Sequence, residues 1–257
     1  MARIFITGSS DGLGLMVARL LAADGHGVVL HARNAGRAED TRSSFPTAEA
    51  VVVGDLSSIT AMREVAKQAN ALGPFDAVIH NAGIGYREPR RVQTADGLSQ
   101  LFAVNVLAPF VLTALIERPK RLVYLSSGMH HGVDANLDDL NWIARPWQAS
   151  AAYAESKLLD VLLAFGIARR WKDVLSNALE PGWVPTRMGG PGAPDDMDQA
   201  HRTQAWLAAS DDREACVTGG YFYHLRPRVP NPQAKDRHLQ DRLIAACERL
   251  SSVALPD

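Results

Sequence analysis

The chain has 257 residues, of which 47% are hydrophobic and 21% are charged, so it can bury a sizeable core and is not a disordered polymer. Its 27 lysines and arginines against 28 aspartates and glutamates give a formal net charge of −1, which argues against a nucleic-acid partner or an anionic membrane surface. Two cysteines exclude a disulfide framework and a multi-cysteine metal site, and they fit a reducing cytoplasm.

The apolar stretches are too short for targeting or for membrane insertion. The longest, Val106–Ile116, contains a proline and falls well short of the roughly 20 residues that span a bilayer. The apolar run near the first residue is too short for a signal peptide. We therefore expect a soluble, cytoplasmic protein.

Short apolar runs alternate with longer amphipathic segments along the chain. The predicted strands are Arg3–Thr7, Gly27–His31, Glu49–Val53, Ala77–His80, Arg121–Ser126 and Ser176–Leu179. The predicted helices are Gly12–Ala23, Ile59–Leu72, Gly97–Ile116, Tyr153–Trp171, a small one near Met197–Ala209 and a last one over Asp236–Leu250. No linker or repeat divides residues 1–257, so we expect a single α/β domain of the Rossmann type. Its sheet should be doubly wound and mostly parallel, with helices on both faces.

A glycine-rich turn joins the first predicted strand to the first predicted helix. It runs from Thr7 to Gly14 with the sequence TGSSDGLG. Gly8 can adopt a backbone conformation that other residues resist, Gly12 lets the backbone approach a pyrophosphate, and Gly14 permits close helix–strand packing. The phosphates would meet free N–H groups and the positive end of the helix dipole. In this strand–turn–helix context the glycines favour dinucleotide binding over an ordinary flexible turn.

The end of the second predicted strand should meet the adenosine ribose of such a cofactor. Ala32 offers no carboxylate that would accept a hydrogen bond from a 2′-hydroxyl and repel a 2′-phosphate. The next residue, Arg33, offers a planar cationic fork that suits a phosphate. NADP(H) is therefore favoured over NAD(H), the alternative being a surface arginine that merely follows a strand.

A tyrosine and a lysine lie four residues apart, so they share one face of a predicted helix. They are Tyr153 and Lys157. A tyrosine with its ordinary pKa near 10 is a poor acid–base catalyst at neutral pH, and a neighbouring ammonium favours the phenolate and moves this pKa toward the working range. The spacing alone proves little, and the order of the surrounding motifs carries more weight.

Two more polar residues lie where a ligand is expected. Ser127 follows the fifth predicted strand at the carboxyl edge, where open α/β sheets bind ligands, and its hydroxyl could hydrogen-bond a substrate carbonyl. Asn105 lies among apolar residues of a predicted helix, and Pro109 cannot donate to its carbonyl. That carbonyl would be free to hold a water and extend a proton path from Lys157. An ordinary amide on a helix face is the alternative.

Taken in order, these motifs resemble the short-chain dehydrogenase/reductase family. The matching pieces extend from about Arg3 to Phe222 and are Thr7-Gly8 with Gly12-Leu13-Gly14, Asp55-Leu56, Asn81-Ala82-Gly83, Asn105, Ser127, Tyr153 with Lys157, and Pro181-Gly182 with Thr186. Any one of them is common, whereas seven in order with the family's spacing form a specific signal. The resemblance implies a Rossmann-fold oxidoreductase that transfers hydride between a nicotinamide and a carbonyl or alcohol.

The resemblance also implies roles for the matching residues. The implied catalytic residues are Asn105, Ser127, Tyr153 and Lys157. Tyr153 would exchange a proton with the substrate oxygen, Ser127 would stabilise the oxyanion, and Lys157 would bind the nicotinamide ribose and lower the pKa of Tyr153. With the glycine turn and Arg33 included, the predicted cofactor contacts are Gly8, Ser9, Ser10, Gly12, Leu13, Gly14, Arg33, Asp55, Leu56, Asn81, Ala82, Gly83, Tyr153, Lys157, Pro181, Gly182, Val184 and Thr186.

The long segment between Ser127 and Tyr153 resembles the retinol dehydrogenase-like and WW-domain oxidoreductase-like branch of the family. We expect insertions at about residues 129–152 and 186–210 to border a small-molecule substrate. His130 and His131 have no acidic or cysteine partner at ligand spacing, so loop contacts are favoured over a metal. Candidate apolar lining residues, each equally consistent with packing, are Trp142, Trp147, Trp183, Met188 and Trp206.

Two departures from the family pattern concern the core and the assembly. His80 stands where the family usually has an asparagine, and the short connection from Ile116 to Arg121 implies a truncated helix. Helices of this region commonly pack dimers and tetramers in the family, so a homo-oligomer remains open.

Three functions agree with these residues. The leading hypothesis is an NADP(H)-dependent carbonyl reductase or alcohol dehydrogenase. The second is a sensor or scaffold that binds the cofactor without turnover, although such proteins generally lose the tyrosine or the lysine. A nucleotide-sugar epimerase or dehydratase would share the fold and the tyrosine–lysine pair, but it usually needs a larger C-terminal domain than the segment after Pro181 provides.

Overall fold

A computed structural model describes residues 1–257 and contains one eight-stranded sheet. The strands are β1 (Arg3–Ile6), β2 (Gly27–Ala32), β3 (Ala50–Val53), β4 (Ala77–His80), β5 (Arg121–Leu125), β6 (Leu175–Glu180), β7 (Tyr221–Tyr223) and β8 (Arg226–Pro227). They lie in the order β3-β2-β1-β4-β5-β6-β7-β8, and only the last pair is antiparallel. The strand order reverses between β1 and β4, which opens a crevice at their carboxyl ends where such sheets bind ligands.

Helices cover both faces of the sheet. They are α1 (Gly12–Ala23), α2 (Ala35–Ser44), α3 (Ile59–Ala71), α4 (Gln100–Phe102), α5 (Ala108–Leu115), α6 (Ala149–Arg170), α7 (Met197–Ala200), α8 (Arg202–Ala209) and α9 (Arg237–Ser251). A π-helical turn (Ala103–Leu107) joins α4 to α5, and 3-10 turns occupy Gly128–Gly132 and Pro232–Lys235. The predicted Rossmann-type α/β fold is confirmed. None of the helices combines the length and apolar character that crossing a membrane requires.

The core forms two layers because successive strand residues face opposite sides of the sheet. Phe5 and Val78 belong to the apolar cluster that α3, α5, α6 and α9 complete. Ile6 and Ile79 belong to the cluster that α1, α2 and α8 complete. With both faces covered, the strands read as nearly continuous apolar runs in the sequence, which is why six of them could be located there.

Four elements differ from the sequence prediction. Helix α2 was missed because only Ala38 and Thr41 of its residues are buried, so its sequence has almost no apolar periodicity. Strands β7 and β8 were missed because they have only three and two residues. The helix predicted over Gly97–Ile116 was wrong in part, since it begins at Gln100 and a π turn interrupts it.

Candidate active site

A cleft of about 1390 Å³ follows the carboxyl edge of the sheet from the glycine turn to Arg228, just after β8. Apart from Ser9 and Asn105, every residue that the sequence assigned to cofactor binding or catalysis lines it. Those two are buried behind the lining, at 0% and 1% exposure. The cleft therefore brings the predicted residues into one site, with Ser9 and Asn105 placed to support it.

The glycine turn leaves the space that a phosphate requires. Gly8 has a φ of +61°, and a Cβ there would lie 2.7 Å from Ala82 Cα. At Gly14 a Cβ would lie 2.6 Å from the Gly8 carbonyl oxygen. Gly12, with φ +54°, has open space where a side chain would be, and it lines the cleft. The turn is therefore open to the cleft at Gly12, at the N-terminal end of α1, where backbone N–H groups can bind an anion.

A buried histidine holds the first residues of this turn. The Gly8 N–H donates to His31 Nδ1 at 3.0 Å, so Nε2 carries the ring proton and donates to the Gly54 carbonyl at 2.9 Å. Ser9 Oγ accepts from the His31 N–H at 2.9 Å and donates to the Ile6 carbonyl at 2.7 Å. Burial lowers the pKa of His31, which keeps the ring neutral. Sequence reasoning missed His31, although a histidine inside an apolar strand was a signal.

Asn81 links the loop after β4 to the loop after β1. Its Nδ2 donates to the carbonyls of Thr7 and Gly8 at 2.9 and 3.0 Å. Thr7 Oγ1 in turn accepts from the N–H groups of Asn81 and Ala82, each at 3.0 Å. The two loops that border the cleft here are thus fixed to each other.

Two arginines lie at the end of the cleft beyond β2. Arg33 is exposed and lines the cleft directly after the strand. Arg37, the second, was not found from the sequence. Its guanidinium donates to Ser10 Oγ at 3.0 and 3.1 Å and to Asp11 Oδ2 at 2.6 Å, which holds it beside the glycine turn. Asp55 and Leu56 line the same end. No carboxylate directly follows β2; the charged residues at this end of the cleft include the two arginines with Asp11 and Asp55.

The π turn presents the side chain of Asn105 to the next loop. Because the Ala108 N–H donates to the Ala103 carbonyl five residues back, the helix is locally widened around Asn105. Asn105 Oδ1 accepts from the Ile84 N–H at 2.9 Å, and Nδ2 donates to the Ile84 carbonyl and to Ser156 Oγ at 3.1 and 2.9 Å. Asn105 therefore joins the loop after β4 to α6.

The two consecutive serines after β5 have different environments. Ser126 is buried, and its hydroxyl donates to the Lys157 carbonyl at 2.7 Å, so it packs α6 against the sheet. Ser127 lines the cleft, and its Oγ accepts from the Met129 N–H at 3.3 Å. Of the pair, Ser127 is the one that a substrate can reach.

Tyr153 lies on the second turn of α6 at the wall of the cleft. Its ring packs edge-to-face on Tyr86 with centroids 5.3 Å apart, and the residue is 6% exposed. Burial raises the pKa of Tyr153, and the charge of Lys157 and a hydrogen bond with Ser127 oppose this only in part. The net direction differs from the sequence expectation of a lowered pKa, because the helix spacing does not reveal how far the phenol is withdrawn from water.

Lys157 extends from the next turn of α6, with Nζ 5.9 Å from the Tyr153 ring centroid. The ammonium donates to the Leu125 carbonyl at 2.8 Å and to Asp160 Oδ2 at 2.9 Å. Burial by itself would lower the pKa of Lys157, but the negative charge of Asp160 and the nearby Tyr153 raise it overall. The lysine is therefore a buried, charged group beside the phenol.

The loop after β6 forms a further part of the wall of the cleft. Gly182 has a φ of +88°, which other residues rarely adopt. Thr186 Oγ1 accepts from the Gly189 N–H at 3.1 Å, and the Thr186 carbonyl accepts from the Gly190 N–H at 2.8 Å. Pro181 and Val184 complete the lining from this loop.

A polar network under the first insertion was not found from the sequence. His130 Nδ1 donates to the Ser127 carbonyl at 2.7 Å, while Nε2 accepts from the Asn231 N–H at 3.1 Å. Burial lowers the pKa of His130 to about 4, so the ring is neutral and acts as a loop contact. Glu180, at the end of β6, is 4% exposed and pairs with Arg228. Both residues of this pair line the cleft.

The five apolar lining candidates divide into two groups. Trp183 and Met188 line the cleft, and Trp183 is 55% exposed. The other three pack elsewhere: Trp142 on Trp147 at 5.8 Å between centroids, and Trp206 on Phe222 at 5.6 Å.

Comparison with known proteins gives consistent similarities. The family described as short chain dehydrogenase matches residues 2–129. The oxidoreductase AN7799 of Emericella nidulans is 45% identical over 100% of this chain and 99% of its own length. Human retinol dehydrogenase 13 is 31% identical over 98% of this chain and 85% of its own length.

Solved structures agree with the sequence relatives. An uncharacterised protein from Mycobacterium paratuberculosis superposes with a TM-score of 0.84 at 28% identity, covering 100% of this chain and 96% of that one. A blue fluorescent protein from a metagenomic library, in complex with NADPH, gives a TM-score of 0.68 at 23% identity over 86% of this chain and 95% of that one, which supports the fold alone. The chain therefore belongs to the short-chain dehydrogenase/reductase family, as an oxidoreductase of its retinol dehydrogenase-like branch.

Proposed function

We propose that the protein is an NADP(H)-dependent carbonyl reductase in which Tyr153 is the general acid. The observation that carries the proposal is the position of the Tyr153 phenol in the same cleft as the open space at Gly12, with Ser127 and Lys157 beside it. Members of this family bind nicotinamide cofactors, and the glycine turn has the room that such a cofactor requires. Residues 1–257 then act as one NAD(P)-binding domain.

A bound nicotinamide supplies the hydride that the chain itself cannot provide. The Ser127 hydroxyl donates a hydrogen bond to the substrate carbonyl oxygen and stabilises the charge that develops there. Tyr153 donates its phenolic proton to the same oxygen, and the ammonium of Lys157 stabilises the phenolate left behind. Asn105 acts indirectly in this scheme, because it fixes the loop at Gly83 and Ile84 on which the cofactor would rest.

The ionisation of the phenol favours reduction over oxidation. Because burial raises the pKa of Tyr153, the group is protonated at neutral pH and can donate a proton to an incoming carbonyl. Alcohol oxidation needs the phenolate, so its rate should increase with pH. We therefore infer that carbonyl reduction is the faster direction near neutral pH.

The substrate is inferred to be an uncharged, largely apolar carbonyl compound. The substrate end of the cleft is lined by apolar or aromatic side chains from the loops after β4 and β6 and from both insertions; these are Tyr86, Met129, Trp183 and Met188. The charged pair at this end, Glu180 and Arg228, neutralises itself. The segments 129–152 and 186–210 then act as the substrate-binding insertions.

The catalytic proposal is tested with Tyr153→Phe and a panel of uncharged ketones and aldehydes. We expect the wild type to oxidise NADPH with at least one of them and Tyr153→Phe to lose about 100-fold or more in kcat, since it keeps the ring but not the proton. Tyr124→Phe is the matched control, because that phenol is buried outside the cleft, and it should retain turnover.

Retained turnover in Tyr153→Phe would refute the acid role. If the wild type binds NADPH but oxidises none of it across the panel, the second hypothesis, a sensor or scaffold without turnover, replaces the enzyme.

The cofactor preference is inferred from the two arginines at the adenosine end. Arg33→Ala should raise the KM for NADPH about tenfold or more and leave the KM for NADH nearly unchanged, because only NADPH carries the 2′-phosphate. Arg37→Ala should raise the KM for NADPH more than that for NADH, since Arg37 also hydrogen-bonds the glycine turn that both cofactors would use. Arg42→Ala, on the exposed face of α2, is the control and should alter neither constant. Equal losses with both cofactors would contradict the proposed phosphate contact.

A further inference from the structure

A buried carboxylate lies behind the ammonium of Lys157. Asp160 is almost one turn further along α6, and its Oδ2 is 2.9 Å from Lys157 Nζ. The two side chains are 3% and 5% exposed. The other carboxylate oxygen, Oδ1, has no hydrogen-bond partner, so the charge of Asp160 is compensated by Lys157 alone.

The other titratable groups around Asp160 carry no charge near neutral pH. Tyr153 shares its helix, and Tyr124 faces it from β5 with a pKa that burial raises. His80 of β4 lies against Tyr124, with ring centroids 4.8 Å apart, and burial lowers the pKa of His80 to about 3. The Asp160–Lys157 pair is therefore the charged unit on this side of the catalytic phenol.

The pair determines where the ammonium can act. An ammonium has three donors, and two of them are used by the Leu125 carbonyl and by Asp160. One donor remains for a group in the cleft, which Lys157 lines and Asp160 does not. Water cannot screen the carboxylate at this depth, so its charge also acts on the phenol: Asp160 raises the pKa of Lys157 and of Tyr153.

We propose that Asp160 is a positioning residue: its carboxylate, 2.9 Å from Nζ, holds the Lys157 ammonium at the Leu125 carbonyl. Its buried negative charge also acts on the phenol of Tyr153, which lies seven residues earlier on the same face of α6. The inference rests on the proposed function of Tyr153. Asp160 does not touch substrate or cofactor in this role, and it acts entirely through Lys157 and the phenol.

The pH dependence of carbonyl reduction in Asp160→Asn tests the proposal. The amide keeps the shape and an oxygen for Nζ but removes the charge, so we expect the alkaline limb of the kcat profile to move to lower pH by about one unit or more. Asp160→Glu keeps the charge and should retain the wild-type limb even where its kcat is lower. A purely structural role would reduce kcat or stability in both variants and leave the limb in place.

Glu155→Gln is the matched control on the same helix. Glu155 is also partly buried, but it pairs with Arg145 through two bonds of 2.6 Å and does not contact Lys157. The alkaline limb of the kcat profile of Glu155→Gln should coincide with that of the wild type. If Asp160→Asn does not fold, Asp160→Ser, which is smaller and keeps one oxygen, takes its place.

A second measurement needs no turnover. Ultraviolet difference titration of the phenol, with Tyr153→Phe in the matching background as the blank, should show Tyr153 ionising at lower pH in Asp160→Asn than in the wild type. If Asp160→Asn changes neither the titration of the Tyr153 phenol nor the alkaline limb of the kcat profile, the proposed role of Asp160 is wrong. If no carbonyl is reduced at all, the proposed function fails, while the titration still decides whether Asp160 acts on Tyr153.

Discussion

His80 shows how a single side chain in the core affects the acid stability of the protein. Its Nε2 lies 2.9 Å from Thr113 Oγ1, and its Nδ1 has no partner. Complete burial lowers the pKa of His80 to about 3, whereas an unfolded histidine titrates near pH 6.5. Between these values the unfolded chain takes up a proton that the folded chain excludes. The free energy of unfolding therefore decreases as the pH falls from about 6.5 toward 3.

Substitution His80→Asn should remove this part of the acid sensitivity. Because folded His80 stays uncharged, it should lower the free energy of unfolding of the wild type by about 2 kcal/mol between neutral pH and about pH 5. The free energy of unfolding of His80→Asn should therefore decrease by about 2 kcal/mol less than that of the wild type over the same pH range. Urea denaturation of each protein at both pH values measures the difference. His238→Asn, at an exposed position, should behave as the wild type does. An undiminished acid loss in His80→Asn would show that other groups cause it.

At the residue scale, the sequence allowed us to predict the cleft residues that belong to motifs with a fixed order and spacing. Ser127, Tyr153 and Lys157 lie together in the cleft as their spacing suggested. Arg37 and Asp160 could not be assigned in the same way, because their partners come from separate turns or depend on how deeply the helix is buried. The spacing of residues along a helix predicts which side chains are neighbours, but it does not predict how far each is buried. The raised pKa of Tyr153 was not foreseen because it results from burial.

Helix α6 is the element that connects the catalytic side chains to the core. It carries Tyr153 and Lys157 near its first turns and packs against α9 near its end, where Gly166 permits a close approach. A Cβ at Gly166 would lie 3.0 Å from Ile244 Cδ1 and 3.4 Å from Gln240 Cβ. The small residue therefore determines how close α9 can lie.

Enlarging Gly166 should loosen the contact between these two helices. Gly166→Leu should lower the free energy of unfolding by about 1–3 kcal/mol through overpacking. Gly166→Ala should be nearly neutral, because the end of Ile244 can shift and alanine gains about 1 kcal/mol in helix propensity. Denaturant unfolding compares them with Gly36→Leu, a helical glycine on the surface that should tolerate the change. Equal stability of Gly166→Leu and the wild type would contradict this packing argument.

At the element scale the predictions succeeded where burial imposes a pattern. Strands with both faces covered and helices with one apolar side were located to within about a turn. Helix α2 was missed because it lies on the surface with a polar sequence, and its start depends on a local cap in which Asn34 accepts from the Arg37 N–H at 3.0 Å. The π turn at Asn105 was missed because it depends on hydrogen bonds to Ile84 and Ser156, which are distant in sequence.

The whole molecule uses its C-terminal segment to cover the helices on one side of the sheet. Leu243, Ile244 and Cys247 of α9 are fully buried in the same cluster as the apolar residues of α5 and α6. Beyond α9, the Trp171 Nε1–H donates to the Pro256 carbonyl at 2.9 Å, so the last residues close over the end of α6. Helix α6 is consequently buried around most of its circumference within one chain.

This arrangement predicts a monomer. The family resemblance left a homo-oligomer open because helices of this region commonly pack dimers, but here α9 already occupies the apolar surface that a second copy would need. Light scattering coupled to size exclusion, at tens of micromolar protein, should give the mass of one chain. Leu243→Asp combined with Ile244→Asp should detach α9, expose α5 and α6, and convert the protein into dimers or larger species. A wild-type dimer at every concentration, or a double variant that stays monomeric and folded, would show that α9 is not what keeps the chains apart.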